Sequence, residues 1–422
     1  MWFRRFFVPP PNVRTLLAAA AACGRRERAA NSMTAVPHMP PRRHHRKYRM
    51  NDEYLQHLDM LRAAGRFRSI PPIDHRQGAD VVLQEGPLLN FSSNDYLALS
   101  TRTDLVREFA AACGDSPEFL FSSASARLLS GSSAVYNQLE TLLAKIFGRE
   151  ACLLFNTGYQ CNLGVISALM HKGDVIFADK LVHASIVAGM QLSGAAFHRC
   201  RHLDYEHLEK QLQQHRHEGK QALIITESVF SMDGDCADLD RLIDLKRRYD
   251  ALLMVDEAHA FGVFGENLAG LGEGKDIDVI TATCGKSLAS CGAFCLASRT
   301  LIDTLVNTAG SFIFSTALPP VNMLWTHFLL TRKRELLHAQ RRKLRALCAA
   351  LDSPTHILPV LIGDSDKAAD VARRLRDAHY FVWPIRPPTV PAGTARLRLS
   401  LTADMEADKV RALLALTREL IA

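Results

Sequence analysis

The chain has 422 residues, of which 48% are hydrophobic and 23% are charged, as is typical of an ordinary soluble globular protein. Its formal net charge is +7, but residues 1–49 hold eleven Lys/Arg and one acid, so the rest of the chain carries −3. A mildly acidic body does not favour nucleic-acid binding, and a chain of this length predicts more than one domain.

Residues 1–49 form a basic, alanine-rich extension. Its apolar stretch, residues 16–23, is too short to cross a bilayer, which requires about 20 residues, so no membrane attachment is expected. The composition also resembles an organelle presequence. We favour a translation start at Met33 or Met50, and we expect residues 1–49 to be disordered.

From residue 50 onward the pattern predicts an α/β protein. Residues 50–100 are interpreted as an N-terminal arm that begins with an amphipathic helix at 51–64. Between 101 and 318, short apolar strands alternate with helices, which predicts βαβ units and a mostly parallel sheet in a large domain. The predicted strands are 152–155, 175–178, 222–226, 251–255, 278–282 and 293–297, and the predicted helices include 162–170, 205–215 and 239–249.

Residues 319–422 predict a long linking helix followed by a smaller α/β domain. The helical pattern opens at Pro319 and Pro320 and runs to about Leu351. The smaller domain contains an apolar run at 357–362, a helix near 367–378, short strands at 381–385 and 395–401, and a final helix to Leu420.

The ten cysteines predict neither a disulfide framework nor a metal site, because their spacing is irregular and no Cys-x-x-Cys pair occurs. The densest group is Cys284, Cys291 and Cys295, which is typical of small apolar residues in buried strands. Reduced thiols of this kind predict a cytoplasmic protein.

Two polar motifs follow predicted strands. Residues 256–259 (DEAH) come directly after strand 251–255, and residues 283–286 (TCGK) come directly after strand 278–282. Ligands bind at the carboxyl ends of strands in an open α/β sheet, so an acid, a histidine and a lysine are expected in one crevice. This set suits pyridoxal phosphate, which forms a Schiff base with a lysine and pairs its pyridinium nitrogen with a carboxylate.

A nucleotide site is the alternative that the same letters suggest. A phosphate-binding loop needs a glycine five residues before the Gly-Lys pair, and that position is Ile280. Helicases also place that loop before the acidic box, whereas here it comes after. Both observations exclude nucleotide hydrolysis.

Lys286 is the candidate Schiff-base lysine, since it follows a core strand among small residues, and desolvation favours its nucleophilic neutral form. Asp256 would keep the ring nitrogen protonated, although an aspartate here could equally cap a helix or form a surface ion pair. His259 could reach the same ring or be a buried core histidine.

Weaker signals follow the other strands. His183 comes after strand 175–178, where an imidazole could stack on the cofactor ring. Gly158 and Tyr159 open a predicted helix, whose free N–H groups suit a phosphate. Ser231 lies in a polar loop after strand 222–226, which a simple turn explains nearly as well.

Five segments together resemble the α-oxoamine synthases, a family of fold-type-I pyridoxal-phosphate enzymes that join an amino acid to an acyl thioester with loss of CO₂. The segments are 90–97 (NFSSNDYL), 227–235 (ESVFSMDGD), 256–259, 283–286 and 314–316 (FST). The resemblance implies a mostly parallel seven-stranded sheet, a smaller C-terminal domain and a homodimer with shared active sites. It implies catalytic roles for Lys286, His183, Asp256 and His259, and further cofactor contacts at Gly158, Tyr159, Ser231, Thr283, Ser315 and Thr316, the last two reaching the neighbouring subunit's phosphate.

The segment 385–398 (IRPPTVPAGTARLR) resembles the signature of the family branch that condenses L-alanine with a pimeloyl thioester of coenzyme A or a carrier protein. Arg386 lies between prolines that stiffen the loop, as recognition of a carboxylate requires, although Arg396 or Arg398 could take this role. The implied substrate contacts are Arg68, Asn94, His183, Arg386 and Thr389.

Other members of the family use glycine or serine with acetyl, succinyl or long-chain acyl groups, and an inactive partner subunit is the alternative outside catalysis. Inactive subunits typically lack the lysine, so Lys286 counts against it. The chain departs from the family pattern at residues 122–126 (SSASA), at Asn137, and at Ala98 and Ala289, which replace glycines.

Overall fold

The computed structural model describes residues 45–216 and 221–422. Of the extension 1–49 that we expected to be disordered, residues 1–44 lie outside the described residues, and 45–49 begin the first helix. The chain divides into two compact units, Met1–Met60 and Leu61–Ala422. The described part of the first unit is helical, and all that follows concerns the second.

The helices and strands of the described residues are numbered in chain order. The helices are α1 His45–Ala63, α2 Thr103–Cys113, α3 Ala134–Phe147, α4 Gly158–Leu169, α5 Ala184–Ser193, α6 Tyr205–His215, α7 Leu239–Arg248, α8 Arg299–Thr308, α9 Gly310–Ile313, α10 Pro320–Arg332, α11 Arg334–Ala350, α12 Ser365–Asp377 and α13 Ala407–Ile421. The strands are β1 His75–Gln77, β2 Asp80–Leu83, β3 Gly86–Asn90, β4 Ala151–Phe155, β5 Val175–Asp179, β6 Ala196–Cys200, β7 Ala222–Glu227, β8 Leu252–Asp256, β9 Val279–Thr283, β10 Ala293–Ala297, β11 Ile357–Gly363, β12 Tyr380–Phe381, β13 Pro384–Ile385 and β14 Ala395–Ser400.

A seven-stranded sheet in the order β4-β10-β9-β8-β7-β5-β6 is the centre of the second unit. Only β10 runs antiparallel to its neighbours within this sheet. Parallel strands are normally covered on both faces, and here successive residues of one strand enter different cores. Leu253 and Val255 pack in one apolar cluster, and Met254 packs in the other. The α/β fold and the mostly parallel seven-stranded sheet are therefore confirmed.

All six strands predicted between residues 101 and 318 are present, and β6 was missed. Its residues form the sheet edge with most side chains partly or fully exposed, so they lack the continuous apolar run of a buried strand. The long helical segment predicted from Pro319 to about Leu351 is present as two helices, α10 and α11. Lys333 leaves helical geometry at φ −120°, which separates α10 from α11, and no proline or glycine marks the break in the sequence.

Two smaller sheets complete this unit. Strands β11, β14 and β13 form an antiparallel sheet, and β12 pairs in parallel with β3 at the edge of the β1-β2-β3 sheet. Backbone hydrogen bonds extend this connection, from Ser400 N–H to the Phe91 carbonyl and from Ala403 N–H to the Tyr96 carbonyl. The segment that contains residues 91–96 is thereby fixed to the C-terminal strand β14.

None of the helices in the described ranges is long and apolar enough to cross a membrane.

Candidate active site

Three neighbouring strands end in polar residues at one edge of the central sheet. Glu227 ends β7, Asp256 ends β8 and Thr283 ends β9. Glu227 lies in register with Asp256, and Asp256 with Thr281, so the two carboxylates sit side by side. The carboxyl ends of these strands thus create the crevice that the fold class predicts for a ligand.

Lys286 lies at the centre of this crevice and contacts His259. Its Nζ is 2.7 Å from His259 Nε2, and His259 Nδ1 is 2.6 Å from the hydroxyl of Tyr96. Burial lowers the pKa of Lys286 to about 8, although the negative charges of Asp256 and Glu227 oppose this. Burial and the nearby positive charge of Lys286 hold the pKa of His259 well below its usual range. The histidine is therefore neutral, and the lysine is close to the point where it loses its proton.

Asp256 is held by side chains that the sequence did not reveal. Its Oδ2 accepts a 2.8 Å hydrogen bond from the amide of Asn162, and its Oδ1 accepts one of 2.9 Å from Ala258 N–H. The same Asn162 amide contacts Ser185 Oγ at 3.0 Å, which is 2.7 Å from His183 Nδ1. A continuous chain of hydrogen bonds therefore connects His183 to Asp256.

Glu227 is a second carboxyl group that the sequence did not single out. It is almost completely buried, and burial followed by the charge of Asp256 raises its pKa to about 8. Its Oε1 has no hydrogen-bond partner among the described residues. Burial thus favours the protonated form of Glu227.

The start of helix α4 faces the loop that carries Lys286. Thr157 caps the helix, because its hydroxyl accepts from Gln160 N–H at 3.1 Å, and this leaves the first N–H groups at Gly158 and Tyr159 free. A Cβ added at Gly158 would lie 3.8 Å from the Thr283 Cβ, so the helix start and the end of β9 are close.

Ser315 and Thr316 lie beside the same helix start. Gln160 Nε2 contacts Ser315 Oγ at 3.4 Å, and Asn156 Nδ2 donates to the Thr316 carbonyl at 2.7 Å. The N-terminus of α4 carries partial positive charge and unpaired N–H groups, and hydroxyl groups surround it. This arrangement is suited to an anion such as a phosphate.

The residues expected to contact the substrate fall into two groups. Arg68 donates to Thr389 Oγ1 at 2.9 Å, and Arg386 donates to the carbonyls of Gly65 and Phe67, so these residues join two loops. Asn94 belongs to the second group.

In this second group, the guanidinium of Arg398 donates to Asn94 Oδ1 at 3.0 Å, to the Tyr96 hydroxyl at 3.2 Å and to the carbonyl of Ser231. Arg398 is nearly buried, and its charge influences both Lys286 and His259. From the sequence, Arg398 was only an alternative to Arg386 for binding the substrate carboxylate. In the structure, Arg398 is the arginine whose charge acts on Lys286.

The site residues that the sequence did not single out differ in whether a recognisable motif surrounds them. Glu227 and Tyr96 both lie inside segments that carry the family resemblance, so they could have been found there. Asn162 and Ser185 lie on helices α4 and α5 with no flanking motif, and only the fold brings them to Asp256.

The residues present fit pyridoxal phosphate. A buried amine near its neutral state, a carboxyl group held by an amide, an unpartnered carboxyl oxygen and an exposed helix N-terminus surround one crevice. They match the aldehyde, the ring nitrogen, a ring oxygen and the phosphate of that cofactor.

The chain is similar in sequence to known proteins over most of its length. A family model for class I and II aminotransferases matches residues 86–416. A Chlorobaculum parvum protein named 8-amino-7-oxononanoate synthase is 43% identical over 373 residues, which cover 84% of this chain and 95% of that protein. A Glaesserella parasuis protein, whose name assigns the same activity provisionally, is 45% identical over 379 residues, covering 86% and 99%.

Solved structures give the same result for the fold. The 8-amino-7-oxononanoate synthase of Francisella tularensis aligns with a TM-score of 0.64 at 26% identity, covering 79% of this chain and 97% of that chain. The serine palmitoyltransferase of S. paucimobilis, solved with bound pyridoxal phosphate and myriocin, aligns with a TM-score of 0.79 at 26% identity, covering 88% and 97%. The fold type, the cofactor and the enzyme class expected from the sequence are thus confirmed. The chain belongs to the class I and II aminotransferase family and is a pyridoxal-phosphate-dependent acyltransferase similar to the 8-amino-7-oxononanoate synthases.

Proposed function

We propose that this enzyme condenses L-alanine with a pimeloyl thioester to give 8-amino-7-oxononanoate, CO₂ and the free thiol, a step of biotin biosynthesis. The observation that carries the proposal is the identity of 43–45% to proteins named for this product over more than four-fifths of the chain. The segment 385–398 supports the same branch of the family.

Lys286 has two roles in this proposal. It holds the cofactor, and once the amino acid has displaced it, its free amine removes the proton from the substrate Cα. A general base works best when its pKa lies near the working pH, and burial brings the pKa of Lys286 to about 8. Bound at this site, pyridoxal phosphate supplies the electron sink that stabilises negative charge on that carbon.

The other residues of the site would bind and orient the cofactor. Asp256 pairs with the ring nitrogen, and the Asn162 amide holds the carboxylate in place at 2.8 Å. His183 is exposed towards solvent while Ser185 fixes its Nδ1, so its ring can stack on a planar ligand. Thr283, Ser231 and the start of α4 at Gly158 and Tyr159 hold the remaining edges and the phosphate.

The substrate carboxylate requires an arginine, and we assign this role first to Arg398. It is nearly buried and its charge acts on Lys286, whereas Arg386 is bound to the carbonyls of Gly65 and Phe67 in another loop. Arg398 itself donates to Asn94, Tyr96, Ser400 and the Ser231 carbonyl, so it would exchange one of these hydrogen bonds for the carboxylate. Arg68 and Thr389 remain candidates for contacts with the acyl group, because they lie on the same loops as Arg386.

A homodimer with shared sites is part of the proposal. Several large apolar side chains are exposed, among them Phe314 at 87%, which precedes Ser315, Leu129 at 81% and Phe121 at 77%. The segment that carries the last two is bridged to Thr316 through Ala126. Exposed apolar groups of this kind usually mark an interface. Ser315 and Thr316 would then lie at the subunit boundary, where they reach the phosphate of the neighbouring subunit.

We further propose a cytoplasmic location. The nine cysteines of the described residues are all free, and most of them are buried. Free thiols on this scale favour a reducing compartment.

A serine-using enzyme is the second candidate, because the backbone aligns better with the serine palmitoyltransferase, at a TM-score of 0.79. The deciding experiment incubates the full-length enzyme and pyridoxal phosphate with L-alanine, glycine or L-serine. Each amino acid is paired with pimeloyl-CoA, a pimeloyl carrier protein or palmitoyl-CoA, and thiol release is measured. We expect release with L-alanine and a pimeloyl thioester, and none with Lys286→Ala. Preference for serine and palmitoyl-CoA would overturn the proposal and leave the family intact.

A further inference from the structure

His202 is a partly buried histidine that joins two loops of the candidate site, and the mechanism above gives it no role. It follows the edge strand β6, and its Nδ1 lies 2.9 Å from Asp179 Oδ1 while its Nε2 lies 2.8 Å from Asp235 Oδ2. Asp179 ends β5, immediately before the loop that leads to His183. Asp235 lies in the loop after β7 that carries Ser231. One imidazole ring thus connects the loops of two residues that we assign to the cofactor.

The contacts of His202 require a charged ring. Aspartate is ionised near neutral pH and can then only accept, so each ring nitrogen that faces a carboxylate must carry a hydrogen. A ring with hydrogens on both nitrogens is an imidazolium, and the charges that act on it are those of the two carboxylates. The ring also packs edge to face on Phe230 at a centroid distance of 4.5 Å. Two charge-assisted hydrogen bonds and one aromatic contact therefore fix its orientation.

Asp179 shapes the loop that leads to His183. Its Oδ1 also accepts from Leu181 N–H at 2.7 Å, and its Oδ2 accepts from Leu203 N–H at 2.8 Å. The carboxylate therefore turns the chain directly after β5, and His183 follows as the N-cap of helix α5. Because His202 holds the same Oδ1 atom, the turn before His183 depends on His202.

The loop that carries Ser231 is anchored from the opposite side. Thr355 Oγ1 donates to the Gly234 carbonyl at 2.7 Å, and Arg398 donates to the Ser231 carbonyl. These contacts come from the C-terminal part of the chain and do not involve His202. The Ser231 loop therefore keeps its anchors when His202 is replaced, and His202 attaches the neighbouring loop to it.

We propose that His202 is a positioning residue of the cofactor pocket, which holds the loop of His183 at a set distance from the anchored loop of Ser231. The inference rests on the proposed function in one respect, that His183 stacks on the cofactor ring and Ser231 contacts the cofactor. It does not depend on which amino acid or thioester the enzyme uses. Cofactor binding therefore tests it separately from the substrates.

Replacement of His202 by asparagine should break the connection. In His202→Asn the single amide group can donate to one carboxylate only, because its oxygen would face the other carboxylate. We expect the dissociation constant of pyridoxal phosphate to rise about tenfold, the effect of one lost hydrogen bond to a charged group. We also expect the visible circular dichroism of the bound cofactor to fall, because this signal depends on how the protein holds the ring.

A double-mutant cycle with His183 separates positioning from general destabilisation. If His202 acts through His183, His202→Asn should weaken cofactor binding by less than about twofold in a protein that already carries His183→Ala, since residues of one network are not additive. Loss of fold stability alone would give the same factor in both backgrounds. Equal factors overturn the proposal, and so does a His183→Ala variant that binds the cofactor as tightly as the wild type.

Asp235→Ala tests whether the connection between the two loops matters. It removes the contact at the anchored loop and keeps the contact between His202 and Asp179. We expect the same loss of cofactor affinity as in His202→Asn, with little further loss when the two changes are combined. Wild-type affinity in Asp235→Ala would show that His202 acts on Asp179 alone, and would overturn the proposal.

Lys246→Met is the matched control for lost stability. Lys246 is a buried cation between two carboxylates, 3.1 Å from Asp276 Oδ1 and 2.9 Å from Asp278 Oδ2. Asp278 precedes β9, so this cluster lies at the amino ends of the strands, opposite to Lys286. We expect a loss of stability in urea with cofactor affinity and circular dichroism unchanged.

A loss of affinity in this control equal to that in His202→Asn would mean that destabilisation explains both variants, and the proposal would fall. A wild type that binds the cofactor but does not use L-alanine with a pimeloyl thioester would refute the proposed function. The binding measurements would still decide the role of His202 in that case.

Discussion

The side-chain amide of Asn162 donates to the carboxylate of Asp256 at 2.8 Å, although the two residues are 94 positions apart in the chain. Thr281 Oγ1 in turn donates to Asn162 Oδ1 at 2.9 Å, which establishes the orientation of the amide. The carboxylate that we propose as the partner of the cofactor ring is therefore held by a helix residue that has no acid–base chemistry of its own.

Asn162→Ala is expected to weaken cofactor binding by about ten- to a hundredfold, because a buried hydrogen bond to a charged group contributes roughly 1.5–3 kcal/mol. The dissociation constant of pyridoxal phosphate, measured by titration of its visible absorbance, checks this. Asn307→Ala is the control, since Asn307 is exposed on α8 and its amide donates to the Asp303 carbonyl of the same helix. Equal dissociation constants in the two variants would show that Asp256 does not need the amide.

Substitution of the two candidate arginines separates their roles. Arg398→Lys is expected to lower kcat/KM for L-alanine by at least tenfold, because lysine cannot reproduce a planar guanidinium that donates to Asn94 and Tyr96 and would also donate to the carboxylate. Arg386→Lys should have a smaller effect, since its described hydrogen bonds go to backbone carbonyls. Steady-state kinetics with varied L-alanine at saturating thioester give both values. The reverse order would return the carboxylate to Arg386.

The ion pairs of His202 are expected to stabilise the fold at low and neutral pH and to lose this effect at alkaline pH. Its ring contacts Asp179 at 2.9 Å and Asp235 at 2.8 Å. Burial alone would lower the pKa of His202, but the hydrogen bonds and charges of the two carboxylates raise it to about 10. A folded-state pKa above the unfolded value of about 6.5 gives stability that is complete below pH 6.5 and lost as pH rises through 10.

His202→Asn should therefore be less stable than the wild type at pH 6, and the difference should shrink towards pH 10. We expect a difference of roughly 3 kcal/mol at pH 6, reduced from the full pKa shift because Asp235 is partly exposed. Urea unfolding at pH 6, 8 and 10 measures it, with His171→Asn, an exposed histidine, as the control. A difference that does not change with pH would mean that His202 acts through packing alone.

Replacement of Ala289 by glycine is expected to increase the stability of the protein. Its φ of 45° lies in the left-handed region, which costs an L-residue roughly 1–2 kcal/mol, whereas the added chain freedom of glycine costs roughly 0.5–1 kcal/mol. Ala289→Gly is thus expected to stabilise the protein by about 0.5 kcal/mol.

Ala98 has a similar φ of 54°, but its methyl group is buried, and loss of that group costs a further ~0.8 kcal/mol. Ala98→Gly should therefore be close to neutral. Urea midpoints of both variants against the wild type check the pair. A loss of stability in Ala289→Gly would show that its methyl contacts outweigh the backbone strain.

The central sheet could be predicted because its strands are continuous apolar runs between helices, as at residues 222–226 and 293–297. The edge strand β6 could not, since it is half exposed and resembles a loop in its sequence. The break at Lys333 gives no sequence signal either, because its residues are all compatible with a helix.

The residues of the candidate site also divide into those that the sequence predicts and those that it does not. Lys286, Asp256 and His259 follow strands, so the topology alone brings them to one sheet edge. Asn162 and Arg398 reach the crevice from a helix and from a strand of a different sheet, through contacts that span long stretches of sequence. Periodicity and spacing contain no information about such contacts.

The backbone connection between Tyr96 and Ala403 has a consequence for synthesis of the protein. A chain emerging from the ribosome exposes Lys286 and His259 well before Arg398 and Ala403, because translation proceeds from the N-terminus. Until the last segment has left the ribosome, the Tyr96 loop lacks the hydrogen bonds that hold it. The strands of the central sheet can therefore pair before the C-terminal segment exists, whereas the Tyr96 loop gains these hydrogen bonds only when that segment has been made.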